Sequence, residues 1–191
     1  MELRAERLSW GPVTLEPMEE RHREALRDAA NADADIWAIY PYSMAGEHFD
    51  GFWTKLMERQ AAGDRMPFAV CLDGKCVGIS NYYTIEPHAG AVEIGGTYYR
   101  PDVRGGVVNP AAKYLLLGHA FASGARRVAF RVDAINARSR AAVLKLGAVQ
   151  EGILRDNFVT WTGRVRSTVV FSVLRNEWAG VEARLLERLG Q

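Results

Sequence analysis

Apolar positions along this chain recur with two periods, and the switches between them mark the elements. Val13 to Leu15 follows Gly11-Pro12 and reads as a short strand. Met18 to Ala30 reads as a helix charged on one side. His48 to Ala61 reads as a second helix, carrying Phe49, Phe52, Trp53 and Leu56. Between them Ile36 to Met44 is aromatic and irregular, with Trp37, Tyr40, Pro41 and Tyr42. Pro67–Leu72 and Lys75–Thr84 flank Asp73-Gly74, a residue pair favoured in tight hairpins. That turn sets Leu72 against Lys75 and Cys71 against Cys76. Ala91 to Tyr99 predicts the next strand, antiparallel to the preceding one.

The second half follows the same grammar. Arg127 to Asp133 alternates as a strand, Ala137 to Leu146 is helical, and Gly147 caps it. Val149–Trp161 and Val165–Leu174 form a long hairpin around Thr162-Gly163, with Val165, Val169, Phe171 and Val173 on one face. Glu177 to Leu189 is an amphipathic helix, with Trp178, Val181, Leu185 and Leu189 at helical spacing. The pattern predicts an α/β domain on a mixed, mainly antiparallel sheet. One strand–helix–strand crossover, residues 92–133, supplies the parallel pair.

Within that crossover a strand rich in β-branched and aromatic residues runs into a cationic loop, Arg100 to Gly106. A helix leaves the loop with Asn109 as expected N-cap, Pro110 at its first position and Gly124 at its close. The helix is apolar nearly all round, so it should be buried. Lys113 lies in its first turn and Arg104 in the loop before it, with no carboxylate from Asn109 to Lys113. Cations oppose the positive end of a helix dipole, and a bound anion would resolve the conflict.

Composition narrows the setting. The 191 residues suit one domain, and 48% hydrophobic residues suffice for a core. A net charge of +1 gives no reason to expect nucleic acid or a membrane as partner. No apolar run is long enough to span a bilayer, and the Met1-Glu2 opening lacks a secretory pattern, so a cytoplasmic location is expected. Two cysteines do not make a disulfide scaffold, and Cys71 and Cys76 are expected to be a reduced, half-buried pair. No metal is expected: the histidines form no ligand cluster in sequence, His119 reads as a satisfied core residue, and His22, His48 and His88 fall in surface or loop segments.

Four stretches together resemble the GNAT acetyltransferase superfamily, in the branch that includes ribosomal-protein N-terminal acetyltransferases. They are WGPVTLEPM at 10–18, VEIGGTYYRPDVRGGVVNPAAKYLLLGHAF at 92–121, RVAFRVDAINARSRAAVLKLGAVQEGILRD at 127–156, and GRVRSTVVFSVLRNEW at 163–178. The resemblance implies one acetyltransferase domain over 1–191. Its sheet would be splayed into a V, with helices on both faces. It implies acetyl-CoA as cosubstrate, with the pantetheine arm between the strand of Thr97 and Tyr99 and the strand after the central helix. Backbone groups at Tyr98 and Tyr99 would hold the pantetheine amides and the thioester carbonyl. The loop Arg104, Gly105, Gly106, Val107, Val108 and Asn109, with Lys113, would hold the pyrophosphate, and Asn136 the pantetheine arm. The family loop is written Q/R-x-x-G-x-G/A. Here Arg104 fits, while Val107 and Asn109 replace small residues. Val143 occupies the place of a tyrosine that in many relatives protonates the departing thiolate. That role would pass to another group or to water, and Ser139, the nearest hydroxyl in that alignment, is the first candidate.

Moving acetyl from a thioester to an amine needs an amine without its extra proton, a stabilised carbonyl oxygen and a tolerated thiolate. Positioning supplies much of the rate, and no protein nucleophile is required. Glu93 is the candidate base, acting through water or serving as a structural carboxylate. Unbroken alternation would place it on one face with Gly95, Thr97 and Tyr99. Two glycines inside a strand, Gly95 and Gly96, imply a bulge or a close approach. Trp37, Tyr40, Tyr42, Phe49 and Trp53 either wall the acceptor pocket or form a small core. The acceptor is expected to be a protein N-terminus or a small-molecule amine. A non-catalytic CoA-binding module is the other class left open. The terminal helix and the long hairpin are faces open to a homodimer.

Overall fold

The computed structural model describes residues 1–191. Eight strands form one sheet: β1 (Leu8–Trp10), β2 (Val13–Pro17), β3 (Arg65–Leu72), β4 (Lys75–Glu86), β5 (Ala91–Tyr99), β6 (Arg127–Asp133), β7 (Val149–Val159) and β8 (Val165–Leu174). The helices are α1 (Arg23–Asn31), α2 (His48–Ala61), α3 (Val108–Ala122), α4 (Ala137–Leu146) and α5 (Trp178–Arg188). Strand order is β1-β2-β3-β4-β5-β6-β8-β7, and β5–β6 is the parallel pair. This is the predicted mixed, mainly antiparallel α/β fold. The strand β1, not expected from sequence, forms a hairpin with β2 across Gly11-Pro12. No helix is long and apolar enough to cross a membrane.

Two cores sandwich the sheet. One packs Val92, Ile94, Val128, Phe130, Val169, Phe171 and Val173 against α3, α4 and α5. The other packs α1, α2 and the aromatic segment against Ala69, Cys71, Ile79 and Tyr98. Cys71 faces Cys76 as the Asp-Gly turn predicts, and both thiols are free. They are buried outright, not half-buried, because α1 and α2 cover that face. Val165 departs from its predicted face: it is 54% exposed near the hairpin tip. The pairing slips between Leu154 and Phe158, and the alternation does not carry across that irregularity.

α3 also starts differently. Val107 precedes its first residue, Val108, and no side chain caps it. Asn109 and Pro110 therefore sit inside the first turn. Proline is tolerated there because those N–H groups have no intrahelical acceptor. The helix carries no acid in that turn, as read from the sequence.

Candidate active site

The site begins where two strands part. β5 and β6 pair only at Ala91–Arg127, Val92–Val128 and Glu93–Ala129. Beyond Glu93 they diverge, and Gly95, Gly96 and Thr97 are only half-buried along the opening. A bulge lies just past the fork. Between Ile79–Tyr98 and Asn81–Gly95, β4 advances two residues while β5 advances three. Gly96 sits in the bulge at φ +55°.

That bulge overturns the expected shared face. Val92 and Ile94 point to the α3 side, and after the extra residue Thr97 and Tyr99 point there too. Glu93 stays with Gly95 on the opposite side, beside the ring of Tyr83. Tyr98 is buried among α1 and the aromatic segment, where its hydroxyl donates to the Ala29 carbonyl at 2.6 Å. Tyr99 is buried against α3. Both rings are core, so either can meet a ligand through its backbone alone.

Glu93 is largely enclosed, and burial holds its carboxyl above the ordinary value against the pull of Arg131 and Arg166. Its carboxylate meets Arg131 Nε at 3.3 Å. A carboxyl raised in this way is a better proton acceptor near neutrality.

On the α3 side, Lys113 Nζ donates to Thr97 Oγ1 at 2.9 Å, and Thr97 Oγ1 lies 2.7 Å from Ser80 Oγ. Nζ also stands 5.8 Å from the Phe130 ring centroid, so the amine spans from β5 to β6. No carboxylate pairs with it, and burial lowers its ammonium to about 7. Lys113 therefore does not reach out to solvent as a loop cation would.

Arg104 donates through Nε to the Tyr99 carbonyl at 2.8 Å and ion-pairs with Asp33. Its guanidinium ties the loop to the turn after α1 and is not free in the loop. Gly105 and Gly106 are exposed, Val107 and Asn109 are half-buried, and Val108 is buried. Asn136 caps α4: its Oδ1 accepts from the Ser139 N–H at 3.0 Å. Ser139 is half-buried and Val143 belongs to the core.

The aromatic set divides. Trp37, Phe49 and Trp53 are core, while Tyr40 and Tyr42 are half-buried at its rim. Tyr40 Oη donates to the Thr97 carbonyl at 2.8 Å, and Trp161 Nε1 donates to the Trp37 carbonyl at 2.8 Å. These two bonds tie the segment before α2 to β5 and to the β7–β8 hairpin.

His22 is buried, contrary to expectation, and sits with Glu16 and Cys71, their donor atoms within 4.8 Å of one another. The Glu19 N–H donates to His22 Nδ1 at 3.1 Å, so the ring proton rests on Nε2, 3.2 Å from Glu16 Oε2. That tautomer makes the cluster a hydrogen-bond network and gives Nε2 no free lone pair for a metal. His119 is the satisfied core residue expected, between Tyr82 Oη at 3.4 Å and Glu6 at 3.3 Å.

Arg65, Asn81 and Tyr83 escaped the sequence reading. Arg65 follows Gly63-Asp64 ahead of an apolar run and carries no sign of burial, yet it is 7% exposed. Its guanidinium lies 4.5 Å from the Tyr83 ring centroid and hydrogen-bonds the Tyr83 hydroxyl, hard against Gly96.

A forked parallel strand pair, a bulge beside it and an uncapped helix beyond a glycine loop make up the candidate site. Residues 13–149 match the family model of the acetyltransferase (GNAT) domain, and the chain belongs to that family. A probable GNAT-family acetyltransferase from Chromobacterium violaceum ATCC 12472 is 33% identical, over 94% of this chain and 91% of that one, with a TM-score of 0.87. A GCN5-related N-acetyltransferase from Brucella melitensis is 26% identical, over 98% and 86%, with a TM-score of 0.89. RimJ from Mycobacterium smegmatis, solved with CoA-disulfide, shares the fold at 22% identity and a TM-score of 0.76, over 92% and 88%. No curated protein sequence matches this chain.

Proposed function

We propose that this chain, as a single acetyltransferase domain, moves acetyl from acetyl-CoA to a primary amine by direct attack in a ternary complex. The observation that carries the reading is the fork itself: β5 and β6 part immediately after Glu93, with the uncapped start of α3 beyond the bulge. The loop amides from Gly105 to Asn109 suit a pyrophosphate, while the Arg104 N–H is already taken by the Pro101 carbonyl. The half-buried backbone from Gly95 to Thr97, continuing to Tyr98 and Tyr99, suits an amide-bearing arm. Glu93 takes a proton from the acceptor ammonium, directly or through water. Asn136 can still donate from Nδ2 to the pantetheine arm, since the cap uses only Oδ1. With Val143 in the core, the departing thiolate draws its proton from Ser139, from Lys113 or from water. The acceptor we carry forward is a protein N-terminus; a small-molecule amine is the alternative.

CoA and acetyl-CoA should each raise the melting temperature, by the equivalent of about 2.7 kcal/mol at a hundred times Kd. Mass spectrometry of peptides and small amines incubated with acetyl-CoA then reads the transfer. No thermal shift with CoA would remove the reading. Binding without transfer to any amine would favour a non-catalytic CoA-binding module.

A further inference from the structure

Arg65, Tyr83 and Glu93 lie side by side on β3, β4 and β5, through the register pairs Arg65–Tyr83 and Tyr83–Glu93. The Arg65 guanidinium is enclosed by rings, with centroids at 4.5 Å for Tyr83 and 5.9 Å for both Tyr42 and Phe52. No carboxylate lies within ion-pair distance of it. Glu93 is drawn the other way, to Arg131. Arg65 Nε, Tyr42 Oη and Asn81 Oδ1 are all buried without a hydrogen-bond partner. The guanidinium's hydrogen bond goes to the neutral Tyr83 hydroxyl, so the buried cation and the polar atoms beside it lack an anionic partner. The wider face has the same sign. Arg131, Arg164 and Arg166 stand there beside Glu93 and Asp133, with the Arg127–Glu151 pair further along.

We propose that the acceptor carries a carboxylate near its reacting amine, and that Arg65 receives that carboxylate while Glu93 faces the amine. The inference rests on the acetyl-transfer reading of the same site. Two strand spacings separate the backbones of Arg65 and Glu93, roughly 10 Å, which sets the reach between the two groups of the acceptor. The rings around the guanidinium exclude water and hold its plane, which strengthens a charge-assisted pair. Gly96 is what lets the cation come this close to the fork. A Cβ there would fall 3.0 Å from Arg65 Nη2.

The test pairs acceptors that differ in one charge. Calorimetry on the CoA-loaded protein compares 4-aminobutanoate with its amide, and amidated Ala-Glu with amidated Ala-Gln. Mass spectrometry follows their acetylation. At least one anionic member should bind about ten-fold or more tighter than its neutral twin, the size of a charge-assisted hydrogen bond. Which pair shows the preference tells a small amino acid from a peptide. Arg65→Gln should abolish the preference, and Arg65→Lys should keep part of it. Equal binding within both pairs, or no binding of any member, would overturn the proposal, as would a preference that survives in Arg65→Gln. The wild-type comparison stands even if Arg65→Gln does not fold. Loss of CoA binding in the wild type would strike the acetyl-transfer reading instead, so the two failures are separable.

Discussion

Lys113 Nζ donates to Thr97 Oγ1 at 2.9 Å beneath the opening between β5 and β6, and no carboxylate joins them. A sequence-level cation on a helix start thus becomes a buried amine, linked through Thr97 to Ser80. Burial alone lowers its ammonium from 10.5 to about 7.

This has a sign in stability. Between about pH 7 and 10.5 the unfolded chain holds a proton on Lys113 that the folded chain has released. Stability therefore climbs with pH across that window, and the full penalty is present below it. Lys113→Met should stabilise the apo protein near pH 7 by up to about 5 kcal/mol, at about 1.4 kcal/mol per pH unit. The gain should vanish toward pH 10.5. Urea unfolding of both proteins at several pH values checks it, and a gain independent of pH would refute it.

Glu93→Gln should leave CoA binding intact and lower acetyl transfer on the order of 10²–10⁴-fold. The wild-type rate should rise as pH passes the raised value of the Glu93 carboxyl, since only the carboxylate can accept a proton. The deficit of the variant should shrink at high pH, where acceptor amine is already neutral. Steady-state profiles of both enzymes decide this. A deficit constant across pH would place Glu93 in a structural role.

The cap that Asn136 makes and the pantetheine contact proposed for it can be separated by a pair of variants. Asn136→Ala removes the cap of α4 and should reduce stability by about 0.5–2 kcal/mol. Asn136→Asp keeps a cap acceptor but loses the amide donor. It should melt close to the wild type and bind CoA more weakly, by about 0.5–1.5 kcal/mol. Unchanged CoA affinity in Asn136→Asp, read by calorimetry, would reduce Asn136 to the cap.

Gly96→Ala tests the bulge. The φ of +55° is unfavourable for alanine, at roughly 1–2 kcal/mol. A Cβ would also fall 2.8 Å from Asn81 Nδ2 and collide with the Tyr83 hydroxyl. The variant should lower the melting temperature and weaken acceptor binding more than CoA binding. A melting temperature equal to that of the wild type would show that the bulge tolerates a side chain.

Much of this protein was determined locally. The bounds of α2, β5, β6, α4 and β8 follow from hydrophobic period, and Cys71 meets Cys76 because Asp73-Gly74 leaves little choice of turn. The absence of acid at the start of α3 and the family motifs were equally legible. What tertiary structure decided lies wherever a face or a distance matters. Alternation places Glu93 and Thr97 together only on an unbroken pleat, and the bulge at Gly96 turns them to opposite sides. Glycine permits that φ without compelling it. Tyr98 and Tyr99 divide between two cores because helices from distant parts of the chain cover both faces. Nothing near His22 in sequence announces that Cys71 will close over it. Arg65 reads as an ordinary surface cation, and only the placing of β3 beside β4 and β5 under α2 encloses it. Burial, and with it the charge a site leaves unanswered, is a property of neighbours remote in sequence, which is why the fold was readable from the chain and the acceptor side of the site was not.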